Sequence, residues 1–300
     1  MKPYEVLNYP SRVLSQSQRE KYFEDGYVGV EEIVPPQQLK KLIEITRNFE
    51  EQSRKVSVSD EVFDLAPEHS ADKPVLRRLK TPDDKHPLYW DFAMGLMADV
   101  ASDLLGPNVV FHHSKLNFKW YSSSDTVKWH QDIQFFPHTN YNVLTIGCYL
   151  ADTDMNNGPL AALKGSHNGI LYDQYNKNGQ WTGMLSDQDA ANIDKSKIEY
   201  LTGKAGSITI HNARTLHFSP ASKSPVARPL LLNCYTSADA KPYTANPAIT
   251  QNTYKIVRGK AVKWAEHDPR PCQIPPDWSG GYTSIYAAQS GEKKSASKMI

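Results

Sequence analysis

The sequence is poor in cysteine, in net charge and in long apolar runs, and each shortage excludes something. Its 300 residues hold three cysteines, Cys148, Cys234 and Cys272, widely spaced, odd in number and without a C-x-x-C pair. This excludes a disulfide framework and a cysteine-based structural zinc site, and fits reduced thiols. Thirty-four Lys and Arg against 33 Asp and Glu leave a net charge of +1, which gives no electrostatic support for a nucleic-acid partner. The longest apolar stretches, such as 143–151, are too short to span a membrane, and the first residues lack the apolar run of a secretory leader. A cytoplasmic location, with no membrane or nucleic-acid partner, is therefore expected. What remains is an ordinary globular mixture, 39% hydrophobic and 22% charged, with no internal repeat. Ten histidines are the place to look for metal chemistry.

Length and patterning predict a single domain over 1–300 with a largely helical part at 1–106, a β core at 107–240 and a C-terminal extension at 241–300. Ser15-Gln16-Ser17-Gln18 has capping-box spacing and opens a helix that stops at Asp25-Gly26, followed by a short strand at 27–30. Pro35-Pro36 starts a helix with Leu39, Leu42, Ile43 and Phe49 on one face. The polar segment 53–85 reads as loop with one short strand, and 86–105 as a second long helix stopped by Gly106-Pro107. From 109 onward the period changes. Short runs at 109–113, 115–120, 127–132, 143–151, 159–163, 198–201, 207–211 and 230–236 alternate with Gly, Asn, Asp and Pro, which argues for an antiparallel sandwich or barrel. A polar insert at 168–197 has the position of a lid or substrate loop, and 290–300 is expected to fray.

Trp129-His130-Gln131-Asp132 carries the first chemical signal. On a strand, His130 and Asp132 project to one face and Gln131 to the other, so an imidazole and a carboxylate can take adjacent positions on one metal. His217, just after a late strand, can complete two histidines and one carboxylate. That set is the facial triad of non-haem iron(II) oxygenases, which leaves positions open, whereas zinc prefers a more closed site. Arg228 follows His217 by eleven residues and offers a bidentate, permanently charged partner for a dicarboxylate such as 2-oxoglutarate; Ser219 can add a hydroxyl donor.

These residues resemble the phytanoyl-CoA dioxygenase family of Fe(II)/2-oxoglutarate oxygenases. The likeness is carried by Trp129-His130-Gln131-Asp132 with Phe135-Phe136-Pro137, by Asn156-Asn157-Gly158-Pro159-Leu160 running to Lys164-Gly165-Ser166-His167, and by His217 with Arg228. Phe23-Glu24-Asp25-Gly26-Tyr27-Val28 is similar to the family's opening. The resemblance implies a mainly β fold, a double-stranded β-helix (jelly-roll, cupin-like) core with N-terminal helices packed on one sheet. It implies His130, Asp132 and His217 as catalytic iron ligands, and Arg228, Ser219 and Asn117 as cosubstrate-binding residues. Alternation agrees for Asn117, since Lys115, Asn117 and Lys119 share one strand face opposite Leu116, Phe118 and Trp120. Related halogenases replace the carboxylate by a small residue; Asp132 is retained, so hydroxylation is the expected chemistry. The cofactors implied are Fe(II), 2-oxoglutarate and O2, and the products succinate, CO2 and a hydroxylated small molecule.

Substrate residues are less well marked. Gln134 and Phe136 follow Asp132 at alternate positions and could face the cavity mouth. His138 is a further candidate against the alternative of an exposed turn. Arg78, in Arg77-Arg78-Leu79-Lys80, could meet an anionic substrate, against the alternative of a solvated basic strand. His211 and Arg214 read as supporting residues, and Trp181 either lines a lid or packs the insert down. Two rival readings share the fold: a non-catalytic metal-binding jelly roll, and a metalloenzyme that does not use 2-oxoglutarate.

Overall fold

A computed structural model describes residues 1–121, 125–278 and 284–290. The tail expected to fray lies, from 291 on, outside the described residues. The first helices form where the punctuation places them. After α1 (Pro3–Leu7), α2 (Gln16–Asp25) begins with a reciprocal capping box: Ser15 Oγ accepts from Gln18 N (3.2 Å) and Gln18 Oε1 accepts from Ser15 N (2.8 Å). It ends at Gly26, whose φ of +86° suits glycine. The proline pair then opens α3 (Pro36–Ser53).

The single helix expected over 86–105 is broken. After the short α4 (Pro82–Lys85), α5 (Pro87–Phe92) and α6 (Ala98–Leu105) are joined by a π turn, Ala93–Met97, with non-helical Gly95 (φ −89°, ψ −111°). The backbone at the kink is held by Arg258, whose Nη1 donates to Met94 O and Nη2 to Gly95 O, both at 2.7 Å. Periodicity cannot show such a break, because the residue that stabilises it is far along the chain.

Among the described residues there are twelve strands, in chain order β1 (Tyr27–Val30), β2 (Phe63–Leu65), β3 (Leu76–Lys80), β4 (Val109–Asn117), β5 (Val127–His130), β6 (Val143–Tyr149), β7 (Leu160–Leu163), β8 (Ile198–Leu201), β9 (Ile208–Asn212), β10 (His217–Ser219), β11 (Leu230–Ser237) and β12 (Ile256–Arg258). They make two antiparallel sheets. The larger runs β1-β9-β6-β11-β4-β3-β2, with β12 paired to β4, and the smaller runs β5-β10-β7-β8. From β4 to β11 the chain passes back and forth between the sheets, which is the wrapping of a jelly roll. The runs expected at 109–113 and 115–120 fuse into β4 because Ser114 stays in the ladder opposite Asn233. Two strands, not one, lie within 53–85, and β10 and β12 were not anticipated. The insert 168–197 has one short helix, α7 (Asp187–Ala191), and α8 (Ile285–Ser290) lies after the core.

Alternation sorts the larger sheet's side chains. Phe111, Leu116, Leu144, Ile146, Leu231 and Tyr235 pack in one core with Leu42, Phe49, Phe92, Met97 and Leu104 from the helices. Lys115, Asn117, Lys119, Thr145, His211 and Leu232 point the other way, into the space between the sheets. Helices thus cover the outer face, and polar side chains collect inside. Among the described residues no helix is long and apolar enough to cross a membrane.

Candidate active site

His130 ends β5 and lies in register opposite His217, the first residue of β10. Each imidazole is oriented by a backbone carbonyl: His130 Nδ1 is 2.8 Å from Lys128 O, and His217 Nδ1 is 2.9 Å from Thr215 O. A ring that donates from Nδ1 keeps the Nε2 lone pair for a cation. Asp132 opens a short 3-10 turn beyond β5. Its Oδ1 is 3.5 Å from His130 Nε2 and 3.8 Å from His217 Nε2. Its Oδ2 accepts from Thr145 Oγ1 (3.1 Å) and lies 3.3 Å from His211 Nε2. One carboxylate oxygen is tied and the other faces the two rings. All three residues are buried, with their ligand atoms within 4.8 Å of one another. Two imidazole nitrogens and one carboxylate oxygen on one side of a point, in the mouth of a cavity, suit a non-haem iron with open positions.

The protonation states agree. Burial pushes the Asp132 carboxyl up, but Lys115 and then His217, with hydrogen bonds from His130 and His211, hold it well below the usual carboxylate range. Burial, then the neighbouring rings of His130 and His211, keep His217 well below the usual imidazole range, hence neutral.

The same small cavity, about 50 Å³, reaches Arg228. Arg228 is 2% exposed, and its Nη2 donates to Gly158 O (2.7 Å) and Ser219 Oγ (3.2 Å). Its Nε and Nη1 have no hydrogen-bond partner among the described residues. Buried guanidinium donors without acceptors mark where a carboxylate fits, so the residues present suit a chelating dicarboxylate. Ser219 spends its hydrogen on Gly158 O (2.9 Å), so it orients Arg228 before it can serve a ligand. Lys119 stabilises this corner, donating from Nζ to the carbonyls of Asp125 (2.8 Å), Ser219 (2.8 Å) and Pro220 (2.9 Å). Asn117 lines the cavity while its Oδ1 accepts from Arg78 Nε (3.0 Å).

A second cavity of about 300 Å³ adjoins Asp132 and Lys115. Phe136 and Arg78 line it, with Phe135. Arg78 does not belong to a solvated strand: Arg77 and Arg78 are both buried, Arg77 in a two-point ion pair with Asp125. Gln134 does not face the mouth. The 3-10 turn at Asp132–Gln134 ends strand alternation, and the Gln134 amide is used by Tyr172 O, Gln273 Oε1 and Gln174 Nε2, which tie the insert to the core. His138 is buried, not exposed, with Nδ1 2.7 Å from Phe136 O; burial pushes it down to about 4, and it lines neither cavity. Trp181 packs edge-on against Phe135 with ring centroids 5.3 Å apart.

His112, His113 and Cys234 form another buried group of possible metal donors. At 2.6 Å, the Nδ1 atom of one of His112 and His113 donates to that of the other, which ties these two atoms to each other. The lining residues that sequence reading missed include Lys115, Thr145, Ile285 and Tyr286. The inward face shared by Lys115, Asn117 and Lys119 was the available signal for the first. The contribution of α8 through Ile285 and Tyr286 left none.

A jelly roll with two histidines and a carboxylate at strand ends, beside a buried arginine with free donors, defines the class of iron- and 2-oxoglutarate-dependent oxygenases. Comparison with known proteins gives the family. The phytanoyl-CoA dioxygenase (PhyH) profile matches residues 22–230, and the chain belongs to that family. It is 35% identical over 271 residues, covering 88% of this chain and 92% of the other, to a Stutzerimonas stutzeri protein named probable alpha-ketoglutarate-dependent hypophosphite dioxygenase. It is 25% identical over 255 residues to the ectoine dioxygenase of Sphingopyxis alaskensis, covering 77% of this chain and 79% of that one. The crystal structure of EctD from S. alaskensis with 2-oxoglutarate and 5-hydroxyectoine superposes with a TM-score of 0.65 at 20% identity, over 87% of this chain and 92% of that one, which shows the shared fold. The protein is a dioxygenase that uses iron, 2-oxoglutarate and O2.

Proposed function

We propose that this chain hydroxylates an unactivated C–H bond of a small-molecule substrate, with iron(II) held by His130, Asp132 and His217 and the distal carboxylate of 2-oxoglutarate held by Arg228. The observation that carries the reading is the pair of unpartnered Arg228 donors, Nε and Nη1, in the cavity that also holds the three ligand atoms. The bound metal and cosubstrate supply the oxidant, placing one oxygen of O2 in the product and one in succinate as CO2 leaves. The protein's residues position and exclude water. Thr145 and His211 fix Asp132 with Oδ1 toward the metal, the Lys128 and Thr215 carbonyls set the ring tautomers, and Ser219 and Gly158 aim Arg228. Asn117 lies between the cosubstrate cavity and Arg78. Leu160, Leu230, Leu232 and Tyr286 wall the site against solvent.

The similarity to a protein named for hypophosphite, an anion without carbon, favours a second reading in which a P–H bond is oxidised. The test is succinate formation from 2-oxoglutarate with iron(II) and O2, with and without a pool of small metabolites that includes hypophosphite. Substrate-stimulated succinate release is expected. No turnover together with no 2-oxoglutarate binding would leave a non-catalytic or 2-oxoglutarate-independent metal-binding jelly roll as the account.

A further inference from the structure

The larger cavity sorts its charges. Glu61 and Asp84 are exposed and Lys80 and Lys85 half-buried, whereas Arg78 is buried and Lys115, also half-buried, lines the smaller cavity beside Asp132 as well. The cations of β3, of β4 and of the segment just after it differ in what holds them. Lys119 is saturated by three carbonyls and Arg77 is paired with Asp125. Lys115 Nζ, in contrast, makes no hydrogen bond or ion pair with any described residue. Arg78 is held only through Nε, on Asn117 Oδ1 (3.0 Å), and its two Nη groups carry no hydrogen bond to a described residue. Two neighbouring cations, withdrawn from bulk water and without acceptors, are costly unless something negative joins them. Asp132 is the acid whose charge most favours the Lys115 ammonium, and its Oδ1 is directed at the metal position. Iron(II), the Asp132 carboxylate, the 2-oxoglutarate dianion and Arg228 together sum to no charge. Of the cations that line this cavity, Lys80 is held by Asp60 O (2.7 Å), and Lys115, Arg78 and the half-buried Lys85 are then left over.

We propose that Lys115 and Arg78 form an anion-binding subsite for the primary substrate, gripping an oxyanionic head group of phosphonate or carboxylate type in this cavity beside Asp132. Asn117 fixes the plane of the Arg78 guanidinium, whose free Nη groups can meet two oxygens of one head group, while Lys115 supplies a point charge on the side nearest the metal. Phe135 and Phe136 provide an apolar wall for a short substituent. A volume of about 300 Å³ suits a small anionic head group. The proposal rests on the oxygenase reading above and adds to it the chemical class of the substrate.

The experiment is anaerobic calorimetry on the iron(II)-loaded protein, first with 2-oxoglutarate and then, on that complex, with inorganic phosphate, methylphosphonate or acetate. Wild type is expected to bind at least one of these anions saturably, and the preferred one separates phosphonate-type from carboxylate-type head groups. Lys115→Met should weaken the anion by on the order of tenfold to a hundredfold, and Arg78→Gln likewise. Both should lose more anion affinity than 2-oxoglutarate affinity, and Lys115→Arg should restore most of the anion binding. Three results would overturn the proposal: no saturable binding of any of the three anions by wild type, equal binding by wild type and Lys115→Met, or a loss of 2-oxoglutarate instead of anion in Lys115→Met. The last would assign Lys115 to the cosubstrate. Failure of wild type to bind 2-oxoglutarate in the first titration would instead sink the oxygenase reading beneath it.

Discussion

The carbonyl of Gly158 accepts from Arg228 Nη2 at 2.7 Å, and the same oxygen takes the Ser219 hydroxyl at 2.9 Å. One backbone oxygen therefore sets the aim of both residues at the distal end of the smaller cavity. The position is also sterically closed: Gly158 has φ +71°, and a Cβ there would come 2.5 Å from Pro220 O. Gly158→Ala is expected to cost about 1–3 kcal/mol of stability and to weaken 2-oxoglutarate binding several-fold. Thermal unfolding and calorimetry would read the two effects, and unchanged cosubstrate affinity would show that Arg228 is aimed by something else.

Arg228→Lys retains the charge but not the fork. A lysine ammonium cannot meet Gly158 O, Ser219 Oγ and a carboxylate in the same plane, so 2-oxoglutarate affinity should fall on the order of tenfold to a hundredfold. Iron binding should be unaffected, because the His130–His217 register does not involve Arg228. Measuring metal content and 2-oxoglutarate titration on the same preparation would check both halves.

The fold was legible to the extent that its signals are local. Ser15, Gln18 and Gly26 bound α2 by themselves, and alternation sent Lys115, Asn117 and Lys119 inward and Leu116 outward. The candidate metal set could be picked out by residue type alone; β5–β10 pairing puts His130 opposite His217, and the turn after β5 brings Asp132 beside them. What failed depends on partners distant in sequence. The π kink at Gly95 relies on Arg258, the turn after β5 carries Gln134 away from the cavity into a network with Gln174 and Gln273, and β3 is buried because Arg77 finds Asp125. No single-segment pattern encodes those pairings.

Removing the metal should separate the site from the scaffold. The His130 and His217 rings are held by the carbonyls of Lys128 and Thr215, and Asp132 by Thr145, without a cation. Chelation of iron should therefore leave the far-ultraviolet circular dichroism unchanged while 2-oxoglutarate binding is lost. Asp132→Ala should lower iron affinity on the order of a hundredfold and give the same dichroism. Unfolding on chelation would show that the metal holds β5 and β10 together.

Asp99 offers a pH-dependent test away from the site. Its Oδ1 accepts from Arg258 Nε at 2.8 Å and lies 3.2 Å from Arg12 Nη1, and the Arg258 hydrogen bond, against a smaller effect of burial, lowers its carboxyl below the usual range. A carboxyl with a depressed folded pKa binds its proton more weakly in the folded state. Its stabilisation is complete above the unfolded value, about 3.9, and is lost as pH falls through the lower folded value. The side chains are partly open to water, so the gain is below about 1 kcal/mol. Asp99→Asn should therefore melt slightly below wild type at neutral pH, and the two curves of melting temperature against pH should converge below pH of about 4. Because Arg258 also holds Met94 O and Gly95 O, the variant should speed amide exchange in the π turn Ala93–Met97. A constant gap between the two proteins down to the lowest pH would mean that Asp99 acts by packing and not by charge.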